Sequence, residues 1–197
     1  MGGAQAGPVC VSDQRMAALE DLQFTLGEGP CQDAFRFDRP VHAPHLDVPP
    51  GDRWPSFVQL AQATGIGAVF AYPLTSAGVG VGVLTLYQDH PGDLTASQND
   101  DSIALADVLT ETVLSLQDAT PPGMLAAGLD DAVAYRAEIY QASGMVSIQL
   151  QIPVTVALAR IRAYAFSQNR PIAAIAADIV TRRLRLADDR YEPPEGA

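Results

Sequence analysis

Apolar positions recur along the 197-residue chain with two different periods, and the period changes between its halves. Residues 14–24 carry Met16, Leu19, Leu22 and Gln23 at roughly helical spacing, which predicts a short helix. Leu26-Gly27-Glu28-Gly29-Pro30-Cys31 interrupts it with turn chemistry. Residues 39–47 read as extended and close at Pro49-Pro50-Gly51. A second helix is predicted from Trp54 or Pro55, with Phe57, Leu60 and Ala61 inward and a stop at Gly65. Residues 68–75 and 79–87 then form two β segments joined through Ser76-Ala77-Gly78, the spacing of a hairpin. Gly80 and Gly82 thin one face of the second segment, which permits close backbone approach or marks a bulge. Residues 100–117 form an amphipathic helix with Ile103, Ala106, Leu109 or Thr110, Val113 and Leu116 or Gln117 on one stripe.

Residues 118–123, containing Pro121-Pro122-Gly123, are the expected domain boundary. Beyond them the β pattern stops. Asp130–Leu150 is a long helix with Tyr135, Ile139, Ala142, Val146 and Gln149 or Leu150 in phase. Val154–Ser167 is a second, with Val154, Leu158, Ile161 and Ala165 inward. Residues 171–183 are a third, with Pro171 suited to its first turn and Ile172, Ile175, Ala176 and Ile179 inward. Gly144 costs the first of these helices roughly 1 kcal/mol relative to alanine, which predicts a compensating close helix–helix approach. The expected architecture is α+β over residues 1–120, an antiparallel sheet with flanking helices. A helical connector and an all-α three-helix bundle follow over 121–187, then a disordered polar tail over 188–197.

Charge sharpens the division. Residues 1–120 hold 4 Arg against 15 Asp and Glu, a net of −11. Residues 139–187 hold Arg160, Arg162, Arg170, Arg182, Arg183 and Arg185 against Asp178 alone, a net of +5. A basic segment on an acidic chain is either a confined anion-binding surface or a solvated helical face. Every fixed cation is a guanidinium, since the chain has no lysine, and arginine suits bidentate phosphate contacts. At about 100° per residue, Arg160 and Arg162 flank opposite edges of their helix's apolar stripe. Arg162 shares its flank with Thr155 and Phe166; an aromatic beside a cation serves single-stranded RNA recognition, or else Phe166 is a rim residue of the core. Arg170 precedes the third helix, whose first amides add positive potential for a phosphate. Arg182 and Arg185 point off the apolar stripe and Arg183 continues it. The third helix is therefore expected to outlast its packing partners and leave an arginine-rich end in solvent.

Catalysis has little support. The Gly27-Glu28-Gly29-Pro30 turn lacks the Lys-Ser/Thr of a phosphate loop, and Pro30 removes an amide N–H. Cys31 follows that turn without an identifiable base, unless the fold brings His42 or His45 near. Ser12, Ser56 and Ser76 lack a nucleophile-elbow pattern. His42, His45 and His90 have no metal-shell spacing, and Cys10 and Cys31 read as two small buried thiols. No run approaches the roughly 20 apolar residues of a membrane span, and signal-peptide features are missing. These features predict a cytoplasmic protein that is not an enzyme and has no catalytic residues, metal, cofactor or membrane partner.

Three stretches carry a family likeness: residues 135–146 with Gln149-Leu150, residues 156–165, and Arg170-Pro171-Ile172 followed by residues 176–180. Together they resemble the ANTAR domain, the RNA-binding three-helix module of bacterial antitermination regulators, over about residues 130–186. Residues 26–34, 53–57 and 83–87 resemble a GAF sensor domain of the kind fused to ANTAR in actinobacteria, over about residues 9–117. The resemblance implies a dimer that binds hairpin RNA in a nascent transcript and prevents terminator formation, with the GAF domain supplying signal or dimer contact. The partners implied are structured RNA, a second copy of the chain, and a small-molecule ligand of unidentified kind on the GAF domain. Basic positions that fit are Arg136, Arg160, Arg162 and Arg170, with Arg182, Arg183 and Arg185 a weaker match. Pro153 departs from the pattern where a Ser/Thr-type cap is usual. A helix and strand that normally precede residues 9–13 are not found, so the GAF-like sheet is expected to be N-terminally truncated and its ligand pocket incomplete. The competing reading is a small-molecule sensor or dimerisation module whose helical tail binds protein rather than RNA.

Overall fold

A computed structural model describes residues 10–48, 53–119, 130–168 and 170–186, with side chains of the stretch after 130 described from residue 137 onward. The chain divides into two compact units, Met1–Val133 and Ala134–Ala197. The expected boundary at 118–123 lies mostly outside the described residues, as does the expected tail at 188–197.

In the first unit, α1 (Gln14–Leu26) begins at Asp13, whose Oδ1 accepts from the Arg15 and Met16 amides at 2.9 and 3.0 Å. That capping satisfies amides the first turn would otherwise leave orphaned. It ends where Gly27 turns left-handed, two residues later than the periodicity predicts. α2 (Pro30–Phe37) grows directly out of the glycine turn, with Pro30 at its first position, and the pattern did not predict it. Eight residues are too few to display a helical period. The extended stretch holds only β1 (Val41–Ala43). α3 (Pro55–Ala61) continues into a 3-10 turn that stops at Gly65. Leu60, expected inward, is exposed, and Val58 joins Phe57 and Ala61 in the core instead.

The hairpin forms as expected from β2 (Ala68–Ser76) and β3 (Val79–Gln88). Ala77 and Gly78 both have positive φ, the two-residue turn that suits the twist of paired strands. A register shift at Leu74/Thr75 is the bulge, and Gly80 lets the Phe35 ring of α2 lie 3.2 Å from where a Cβ would sit. The antiparallel sheet has the order β1-β2-β3. Because successive strand residues face opposite sides, central β2 serves two cores. Val69 and Ala71 meet Leu19, Ala34 and Phe57 of the helices. Phe70, Tyr72 and Leu74 face the other way, toward Ala106 of α4 (Ala96–Asp118).

α4 starts four residues before its expected position because Thr95 and Gln98 form a reciprocal capping box. Its buried side is Ser102, Ala106 and Thr110, while Ile103, Leu105, Val108 and Leu116 face solvent. The predicted stripe is thus displaced. The two hydroxyls can be buried because each donates to its own helix, Ser102 to the Gln98 carbonyl and Thr110 to that of Ala106.

The second unit consists of α5 (Asp130–Leu150), whose first turn falls before the division at Ala134, with α6 (Val154–Ser167) and α7 (Ile172–Val180). Ile139, Ala142, Val146 and Leu150 of α5 are buried as predicted, and so are Ile172, Ile175, Ala176 and Ile179 of α7. On α6 the buried positions are Ala157, Ile161 and Ala165; Val154, expected inward, is exposed and Leu158 is half-buried. α6 opens at Pro153 with no side-chain cap. A Cβ on Gly144 would meet nothing within 4 Å among the described residues, so the close approach expected there is not found.

Candidate functional site

α7 ends at Val180, three residues before its predicted end. Arg182 takes a left-handed conformation at φ 60°, a role usually filled by glycine. Its amide donates to the Ile179 carbonyl at 2.9 Å, and the Arg183 amide donates to that of Asp178 at 2.7 Å. These two bonds are the paired closure of a left-handed helix stop. The chain then folds back, Leu186 is buried, and its carbonyl accepts from Gln149 Nε2 at 2.6 Å. The arginine-rich end is therefore a turn fastened to the bundle, and the expected helical extension into solvent is absent.

That reversal brings together two arginines from opposite ends of α7. Arg170 Nη2 donates to Asp178 Oδ2 at 2.7 Å, and Arg183 Nε donates to Asp178 Oδ1 at 3.0 Å. The Arg170 hydrogen bond foremost holds the Asp178 carboxyl below its ordinary value of 3.8; desolvation opposes it, and the Arg183 hydrogen bond adds to the lowering. Arg170 and Arg183 side chains keep 45% and 67% of their surface exposed, Asp178 only 21%. One carboxylate thus sits between two guanidiniums, and no other hydrogen bond of their side chains to the described residues is found. Sequence reasoning missed this role for Asp178. Its separations of eight and five residues from its partners are not neighbour spacings on a helix, and only its isolation among arginines marked it.

The other predicted positions fall differently. Arg182 and Arg185 are exposed, while Arg160 and Arg162 are half-buried on α6. Nη1 of Arg160 is enclosed without a hydrogen-bond acceptor among the described residues. Phe166 is 54% exposed beside Arg162's flank, so it stands outside the core. The Arg136 side chain lies outside those described.

In the first unit, the turn that resembles a sensor motif joins three helices. Glu28 Oε2 accepts from the amides of Ser56 and Phe57 at 3.2 and 3.3 Å, capping the start of α3 from a distant loop. Asp33 Oδ2 accepts from Arg53 Nη2 and Trp54 Nε1, each at 3.0 Å. The Arg53 guanidinium also lies 4.1 Å from the Trp54 ring centroid. Gln23, fully buried, accepts from the Cys31 amide at 2.8 Å. Gly29 has φ 125°, and a Cβ there would lie 2.5 Å from Gln23 Oε1, so only glycine fits. The polar residues of this turn are consumed in holding α1, α2 and α3 together.

Cys31 is only half-buried and Cys10 is exposed, which corrects the expectation of two buried thiols. His42 meets Phe70 edge-on and Tyr72 at a tilt, on the sheet face opposite α2, and is not brought to Cys31. No group of three metal-ligating side chains is found among the described residues. An open cleft of about 540 Å³ beside the start of α1 is lined by Arg15, Tyr87, Asp89 and His90. Its charges already answer each other, since Arg15 pairs with Asp89 at 2.8 Å. No single helix among the described residues is long and apolar enough to cross a membrane.

The first unit is a helix-flanked antiparallel sheet and the second an arginine-bearing set of helices. The GAF domain model matches residues 5–115, more than half of the chain, and the ANTAR domain model matches residues 127–180. The chain belongs to the GAF family and carries an ANTAR domain behind its GAF domain. GAF domains are sensors and ANTAR domains are RNA-binding antitermination modules; neither is an enzyme family. No curated protein and no solved structure matches the chain.

Proposed function

We propose that this chain is a non-enzymatic transcription antitermination regulator of the cytoplasm, whose ANTAR unit binds hairpin RNA under the control of the GAF domain. The observation that carries the reading is the run of exposed guanidiniums at Arg170, Arg182, Arg183 and Arg185, on a chain whose first 120 residues have a net charge of −11. Such a chain repels RNA except at this surface. Arg162, with exposed Phe166 and Thr155 beside it, supplies an adjoining cation and a stacking ring. Arg136 and Arg160 are the remaining basic positions of the reading. The protein acts as a homodimer, and the exposed Leu105, Val108 and Leu116, which share one side of α4 at about 100° per residue, offer it an apolar face. Pairing two RNA-binding units raises the effective concentration of the second on a two-hairpin target. The GAF domain takes its input from a small molecule or through the dimer contact.

Filter retention of hairpin RNA by the full chain at moderate salt tests the reading. Four phosphate contacts at roughly −0.7 each give a slope of log K against log salt near −3. Arg162→Ala with Arg170→Ala weakens retention without loss of helical signal; unchanged affinity removes those two positions from the interface. Sedimentation of a monomer at micromolar concentration contradicts the dimer.

One observation favours a second reading, in which the helical unit binds protein. Ile148 is 82% exposed, and Val154 and Val156 nearby are also exposed. Full-chain protein that retains no RNA at any salt favours that alternative.

A further inference from the structure

We propose that Asp178 is a positioning residue that sets Arg170 and Arg183 as a fixed two-guanidinium fork for one RNA phosphate, and so gives the unit its preference for structured over unstructured RNA. The inference rests on the RNA-binding reading and adds a residue of opposite charge to it. Three observations support it. First, each carboxylate oxygen of Asp178 is used by a different arginine, at 2.7 and 3.0 Å, so the separation of the two guanidiniums is set by one rigid group. Second, Arg183 is held through Nε and Arg170 through a single terminal nitrogen, so each guanidinium has N–H donors that Asp178 does not engage. The fork therefore keeps donors for a second, external anion, in the geometry guanidinium groups use for phosphate. Third, both bases of the fork are fixed by backbone. The Arg170 amide bonds the Ala165 carbonyl at 3.0 Å, and the amides of Arg183 and Leu184 both bond the Asp178 carbonyl. Arg170 and Asp178 lie within the ANTAR match and Arg183 lies just beyond residue 180, where it ends.

Preorganisation lowers the ordering cost of binding a phosphate at one defined position. The carboxylate also cancels one of the two charges, which weakens indiscriminate attraction to any polyanion. Removing it has opposite effects on two kinds of RNA: the fork loses its spacing, and the patch gains a net positive charge.

The experiment measures affinity of the full chain for a hairpin RNA and for an unstructured RNA of equal length, across a salt series. Asp178→Asn, with native helical content, loses the hairpin preference by about tenfold, the scale of one charge-assisted contact. Its binding to unstructured RNA becomes steeper in salt by about one phosphate contact. Asp178→Glu, which keeps the charge, recovers part of the preference. Asp178→Asn that folds and keeps the full hairpin preference overturns the fork and leaves the RNA reading standing. Wild-type protein that retains neither RNA overturns both. Should Asp178→Asn fail to fold, a cycle of Arg170→Gln and Arg183→Gln decides. A double variant no worse than either single variant supports a fork acting as one unit, and additive losses overturn it.

Discussion

Glu28 and Asp33 in the GAF unit and Asp178 in the ANTAR unit are carboxylates that each take two donors, but the donors differ in kind. Glu28 accepts from two backbone amides of α3, and Asp33 from Arg53 and the ring nitrogen of Trp54, which is itself buried. Three of these four donors are helix-start amides or a buried ring nitrogen, and only Arg53 keeps 40% of its side-chain surface exposed, so the bonds hold helices together. Asp178 accepts from two arginines that stay largely exposed. Exposed ion pairs add little to stability, so the consequence of this pairing is where the guanidiniums stand. An acidic side chain can thus be a structural tie in one unit and a template for a basic surface in the other.

Breaking the tie in the first unit has the largest expected effect. Asp33→Ala leaves the buried Trp54 Nε1 without its acceptor and should cost about 1–3 kcal/mol. Trp54 is the only tryptophan, so its fluorescence follows denaturant unfolding of that unit directly. The midpoint should fall clearly; an unchanged midpoint means the tie is not structural. Gly144→Ala should act in the opposite direction, raising the stability of the ANTAR unit by about 1 kcal/mol, because the helix gains propensity and the new methyl meets none of the described residues. Loss of thermal stability in that variant would mean a partner occupies the space.

The smallest effect is acid sensitivity. Asp178 is depressed by its arginines, and Asp13 by the Tyr87 hydroxyl first and then the Met16 amide. A carboxyl whose folded value is lowered contributes stability that is complete above its unfolded value and disappears as pH falls through the folded one. Carboxyl NMR titration should therefore give midpoints below 3.8 for both groups, and Arg170→Gln should move Asp178 upward without moving Asp13. A midpoint for Asp178 at its ordinary value would show that the fork is open in solution.

Legibility in the sequence followed the same physical divide. α5 and the inward face of α7 are readable because their buried positions are aliphatic or alanine at a regular helical period. The β2–β3 hairpin is readable from alternation and from Ala77-Gly78. α2 is hidden because it is shorter than its own pattern and starts inside a turn motif. The buried face of α4 is hidden because Ser102 and Thr110 satisfy their hydroxyls on their own helix, which no hydropathy pattern reveals. The end of α7 is hidden because an arginine, not a glycine, takes the left-handed stop. Of the candidate site, the arginines were legible as a composition bias on α6 and α7. The carboxylate that arranges two of them was not, since the contact depends on a chain reversal after residue 180.

The most direct measurement is amide chemical-shift mapping of the full chain titrated with hairpin RNA at moderate salt. The account predicts saturable shifts at Arg170, Asp178 and residues 182–185, with weaker ones along Thr155, Arg162 and Phe166 of α6. It predicts none at Glu28, Asp33 or Trp54. Shifts centred on the acidic GAF unit, or no shifts around Asp178 when RNA is bound, would contradict it.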